Sequence, residues 1–212
     1  EGSDVKVHAI ITDMNQPLGK FIGNSLEIKE CLDILKNETN VENGFDFYEE
    51  TRELSLQLAA HMVWLAGKAD SFDAAYKLAE EAITSGSAYK KFEELCDRQG
   101  PGKIDELPEA KFKLEILSET SGFIEAIETT DIGFAAIGMG VGRVKATDTL
   151  DLTAGIEMHI KLGHQVKSGD KLYTVHGNDK AKLEAVKERL LKLTTISSNK
   201  PKTSPLVIEK LI

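Results

Sequence analysis

Cysteine is nearly missing from this chain. Only Cys31 and Cys96 occur in 212 residues, far apart and inside patterns that read as helices. That excludes a disulfide framework and any paired-cysteine zinc motif, and suits reduced, buried thiols in a cytosolic protein. Long apolar runs are missing as well. No stretch approaches the roughly 20 residues needed to cross a bilayer, and Glu1-Gly2-Ser3-Asp4 is unlike a signal peptide, so the expectation is a cytoplasmic protein with no membrane contact. A basic excess is also lacking. Lys and Arg number 26 against 35 Asp and Glu, for a formal net charge of -9, and the two signs are interspersed. No stripe of positive charge suits a phosphate backbone, which argues against nucleic acid as a partner. Internal repeats and low-complexity tracts are absent. What remains is 41% hydrophobic and 29% charged residues, enough to bury a core as one large domain or two small ones.

The pattern along the chain predicts an α/β fold. Val5 to Thr12 alternates and then turns continuously apolar, as a sheet strand covered on both faces would. A loop with Pro17, Gly19 and Gly23 follows, then the Asn24-x-x-Glu27 arrangement of a helix cap and a helix to about Leu35. Asn37 to Gly44 reads as a polar loop. Phe47 to Ala66 reads as a buried helix, since its apolar residues fall on most faces. Asp70 is placed to cap a third helix that stops at Gly86, and a fourth runs from about Ser87 to Arg98. Gln99-Gly100-Pro101-Gly102 marks a break. Beyond Lys111, Phe123 to Ile127, Ile156 to Ile160 and Leu172 to Val175 read as strands between glycine turns. Asn178 or Asp179 caps a last amphipathic helix with Leu183, Val186, Leu190 and Leu193 on one stripe, and Leu206 to Ile208 reads as an edge strand. The expected division is 1–110 as an α/β portion with one central strand, 111–177 as an antiparallel β lobe, and 178–212 as a returning helix with an extended end.

Several residue patterns suggest chemistry, and each has a plainer reading. Asp13, Met14 and Asn15 lie at the carboxyl end of the first strand, where open α/β sheets bind ligands; the same residues also suit a simple turn. Gly138-x-Gly140-x-Gly142-Arg143 looks like a phosphate loop but follows a helical pattern instead of opening one, and reads as a helix-ending turn. His159 and His164 have no carboxylate at metal-ligand spacing and read as surface histidines. His8 reads as a satisfied core or edge imidazole, and His61 as packed on its helix. The acidic run Asp46 to Glu53 reads as a solvated helix start.

The stretch Ile10 to Glu30, IITDMNQPLGKFIGNSLEIKE, closely resembles bacterial pyrimidine-nucleoside and thymidine phosphorylases. The resemblance continues through Ser121-Gly122-Phe123, Asp131 to Arg143, Asp148 to Gly155 and Gly163 to Leu172, and so covers essentially the whole chain. It implies the C-terminal portion of a large phosphate-binding α/β domain with an antiparallel β lobe. It further implies reversible phosphorolysis, in which phosphate as co-substrate attacks the sugar C1′ of uridine or thymidine and frees the base. Such a reaction needs cationic and hydroxyl donors around a dianion and a departing pyrimidine. In the family these come from a Lys-His-Ser-Thr-Gly-Gly loop and an Arg, Ser and Lys set, and neither occurs here. No catalytic residue is therefore assigned, and the expected partner is an N-terminal half of the same protein, in a homodimeric parent. The resemblance also implies a monovalent or calcium-like cation held by Leu18, Phe21 and Glu30, with no organic cofactor. A different resemblance, of Val166 to Val175 and Asp179-Lys180-Ala181 to lipoyl or biotinyl carriers, would make Lys180 a modified residue. A noncatalytic scaffold is the third reading.

Overall fold

The computed structural model describes residues 5–100, 104 and 106–212. Residues 1–4 and the break at Pro101-Gly102 lie outside them. Along the described chain run β1 (Ala9–Thr12), β2 (Phe21–Ile22), α1 (Asn24–Leu35), β3 (Val41–Glu42), β4 (Phe45–Asp46), α2 (Glu49–Leu65), α3 (Phe72–Thr84) and α4 (Ser87–Gln99). They are followed by β5 (Phe112–Leu117), β6 (Gly122–Ile127), α5 (Thr129–Met139), β7 (Gly155–Met158), β8 (Gln165–Val166), β9 (Lys171–Gly177), α6 (Lys180–Lys192), β10 (Thr194–Ser197) and β11 (Val207–Leu211). The fold is mixed α/β with antiparallel pairing, as the residue pattern predicts. The described residues form two compact units: one takes the chain through Asp13, Leu32–Ile104 and Ser204–Ile212, the other Met14–Cys31 and the chain through Thr203. Each unit is assembled from segments distant in sequence, and α6 and β10 lie in the second.

In the first unit β1 pairs antiparallel with β11, Ala9 opposite Leu211. This corrects the reading of a strand covered on both faces. Its burial alternates, Ile11 is 44% exposed, and Val5 and Val7 ahead of it are more open still. An apolar run marks a strand without saying how many layers cover it. The supposed polar loop 37–44 contains most of a hairpin, β3 with β4. Its turn residues Asn43 (φ 51) and Gly44 (φ 81) both adopt the left-handed region that a tight two-residue hairpin turn demands. Helix α2 is amphipathic instead of buried all round: Leu54, Leu56, Ala60 and His61 are covered, while Leu58 and Met62 are exposed. Helix α3 is capped by Ser71, whose side chain accepts from the Ala74 N–H, and not by Asp70. Neither thiol is buried as expected: Cys31 is exposed and Cys96 half-buried.

The second unit holds two sheets, in the orders β2-β7-β9-β5 and β10-β6-β8, with α5 and α6 packed on them. Ile116, Ile124, Ile132, Ile156, Met158, Tyr173, Val175 and Leu190 are completely or almost completely buried in one continuous core. Short apolar runs between glycine turns located β6, β7 and β9. The reading missed β5, although Phe112-Lys113-Leu114-Glu115-Ile116 alternates with period 2, and β10, three of whose four residues are polar. Helix α6 presents Leu183, Val186 and Leu190 inward. Asp179 caps it by accepting the N–H groups of Ala181 and Lys182 at 2.9 and 3.3 Å. An Asp179→Ala substitution is expected to cost about 1 kcal/mol, read as a lower urea midpoint by circular dichroism.

Candidate functional site

The loop 13–23 is where the expected site residues lie, and its geometry is set by the groups that grip it. Asp13 donates its N–H to the Leu206 carbonyl at 3.0 Å, at the end of the β1–β11 pair. Met14 and Asn15 are exposed, Met14 to 49%. From Gln16 onward the chain is fastened into the β lobe. Gln16 Oε1 accepts the Leu162 N–H at 2.8 Å. The Lys161 ammonium, only 1% exposed, donates to the carbonyl oxygens of Pro17 at 2.7 Å and Leu18 at 2.6 Å. Glu30, buried on α1, accepts the backbone N–H groups of Lys20 and Phe21 on one carboxylate oxygen, at 2.9 and 3.1 Å. The Met158 N–H donates to the Lys20 carbonyl, extending the β2–β7 pairing.

Two glycines make this fastening sterically feasible. A Cβ on Gly19 would lie 2.2 Å from Glu30 Oε1, so only glycine lets the carboxylate press under the loop. Gly23 (φ 129) meets the other sheet partner: a Cβ there would sit 2.4 Å from the Ala154 carbonyl oxygen. The helix cap also differs from the Asn-x-x-Glu reading. Glu27 Oε1 takes the Gly23 N–H at 2.9 Å, while the Asn24 side chain donates instead to the Val141 carbonyl at 3.1 Å. Ser25 bonds the Leu152 carbonyl through both its N–H and its hydroxyl.

Beside the loop, an ionic cluster forms on β7 and β9. Glu157 receives Lys20 Nζ at 3.3 Å and His176 Nε2 at 3.3 Å, with His159 Nε2 at 3.9 Å. Burial by itself would raise the Glu157 pKa. The His176 hydrogen bond and the charge of Lys20, with His159 after them, more than offset that and hold it at about 2. His159 is no surface histidine: its side chain is 10% exposed and bonds Thr174 Oγ1 at 2.9 Å. His164 is half-buried, and burial followed by the charges of Lys161 and Lys200 pushes its pKa down.

The remaining patterns resolve as structure. Gly140 (φ 106) closes α5 by donating to the Ala136 and Ile137 carbonyls, so the glycine-rich stretch ends a helix and offers no N-terminal amides to an anion. Lys180 opens α6 with its ammonium over the Phe112 ring, away from any hairpin tip of the kind a carrier lysine needs. His61 is buried, and its Nδ1 lies 3.0 Å from that of His8. Asp46, expected to be solvated, accepts the N–H groups of Asn40 and Tyr48 and pairs with Arg52 at 3.3 Å.

Two of the three expected cation ligands, Leu18 and Glu30, are therefore engaged otherwise. The Leu18 carbonyl faces an ammonium, and a Glu30 oxygen faces two amides instead of a metal. As they stand, the Leu18 carbonyl and Glu30 Oε2 do not fit a bound cation. Lys161, Lys20, Gln16 and Glu157 were all missed in the sequence. The one available signal was a lysine following the apolar strand pattern, at Ile160-Lys161-Leu162.

Comparison with known proteins places this architecture. Residues 2–89 match the family model described as the glycosyl transferase family a/b domain, and 123–197 the pyrimidine nucleoside phosphorylase C-terminal domain. The pyrimidine-nucleoside phosphorylase of Staphylococcus aureus (strain USA300) is 36% identical over 209 residues, covering 96% of this chain and 46% of that protein. That of Geobacillus stearothermophilus is 36% identical over 211 residues, covering 97% and 47% respectively. Among the described residues no helix is long and apolar enough to cross a membrane. The chain spans about half the length of the curated relatives it matches, and on these two domains and that identity it belongs to the pyrimidine-nucleoside phosphorylase family.

Proposed function

We propose that this chain is the supporting half of a cytoplasmic, homodimeric enzyme that carries out reversible phosphorolysis of pyrimidine nucleosides, yielding free base and sugar 1-phosphate. The observation that carries this reading is the match of both domains to relatives twice as long. The sequence contains no Lys-His-Ser-Thr-Gly-Gly loop, so the cationic donors that a phosphate dianion and a leaving pyrimidine require are supplied from outside these 212 residues. Within the chain, Asp13, Met14 and Asn15 form a wall of the substrate pocket. The exposure of Met14 and Asn15 beyond β1 supports that role.

The test is an assay of uracil release from uridine and phosphate, with this chain alone and mixed with the complementary half of the Geobacillus stearothermophilus relative. The expected result is no release by the chain alone and recovered phosphorolysis in the mixture. Unaided turnover at an enzyme-like rate would overturn the proposal.

A further inference from the structure

The most unusual buried group in the described structure is the Lys161 ammonium. A lysine that is 1% exposed has surrendered its hydration, which is tolerable only where strong acceptors replace water. Here they include two successive backbone carbonyls, Pro17 at 2.7 Å and Leu18 at 2.6 Å. Carbonyl oxygens converging on a compact charge are what a hard cation site offers, and Lys161 brings that charge on its own side chain. The amides of the same loop are met by opposite charge, because Glu30 accepts from Lys20 and Phe21. The loop thus has its carbonyl end turned to a cation and its amide end to an anion, both covalently part of the protein.

We propose that Lys161 is the resident cation of the Pro17–Phe21 loop, so that this chain holds the loop in place of, and to the exclusion of, a bound metal ion. Lys161 is a positioning residue in this role. Its ammonium enforces one orientation of the Pro17 and Leu18 carbonyls, and Gly19 leaves room for Glu30 beneath them. The inference concerns the 212-residue chain itself and does not depend on the phosphorolysis reading.

The test is made on that chain, comparing wild type, Lys161→Met and Lys161→Arg. Thermal unfolding is followed in potassium, calcium and tetramethylammonium chlorides at matched ionic strength, and terbium luminescence reports ion binding. Wild type is expected to unfold at the same temperature in all three salts and to give no saturable terbium signal. Lys161→Met is expected to lose about 10 °C, part of it regained with potassium or calcium, and Lys161→Arg to remain insensitive to the ions. A wild-type chain stabilised by either ion, with saturable terbium binding abolished by Glu30→Gln, would overturn the proposal. Should Lys161→Met fail to fold, the wild-type salt and terbium series decides by itself.

Discussion

Glu157→Gln is expected to lower the stability of the chain at pH 7 by about 3 kcal/mol, the equivalent of moving one carboxyl from 4.5 to about 2. The side chain is 21% exposed, so solvent screening weakens this little. The direction with pH follows from a depressed folded-state value. The contribution is complete above pH 4.5, where the unfolded chain is already ionised, and is lost as pH falls from there towards 2. Glutamine keeps a hydrogen-bonding oxygen for His176 but removes the countercharge of Lys20, which is 2% exposed and would be left a buried cation with its ion pair broken. Urea denaturation by circular dichroism at pH 7, 4 and 3 checks both halves of the claim. The wild type should lose stability across that series more steeply than the variant, and parallel acid limbs would place the acid sensitivity in other groups.

Gly23→Ala carries the other large effect, about 3 kcal/mol or more, from two sources that add. At φ 129 an alanine is strained by about 1–3 kcal/mol. Its Cβ would also sit 2.4 Å from the backbone oxygen of Ala154 and 2.8 Å from Gly155 Cα, so β2 must separate from β7 to admit it. Gly44 provides the comparison. It too has a positive φ, 81, but a Cβ there meets nothing within 4 Å, and Gly44→Ala should show the strain alone, about 1 kcal/mol. Equal urea midpoints for the two variants would remove the close β2–β7 approach as the reason for glycine at 23.

Much of what local rules decide is legible in the sequence. The end of α1 at Leu35, the inward stripe of α6, the cap at Asp179 and the left-handed stop at Gly140 all follow from spacing, side-chain reach and glycine conformation within a turn or two of chain. The cap of α1 went differently, because Asn24 had a stronger use: its amide bonds Val141, a residue far along the sequence. The Asn43-Gly44 pair carries a hairpin signal, but polar residues around a turn read equally well as a loop. Strand β5 is equally legible, because Phe112-Lys113-Leu114-Glu115-Ile116 alternates with period 2. Strand β10, with three polar residues in four, announces no strand without its partner β6.

The candidate site divides in the same way. Its location in the loop after the first strand, the glycines that shape it, and the want of any motif to drive bond cleavage were determined by the amino-acid sequence alone, because each is a matter of residues near one another along the chain. Which charges meet there was decided only by the tertiary structure. Lys161 reaches Pro17 and Leu18 across most of the sequence, and Glu157 on β7 and His176 on β9 meet Lys20 from the loop ahead of β2. A buried charge is stable only beside its counterpart, and one-dimensional order carries no measure of which counterparts folding will bring within about 3 Å of it.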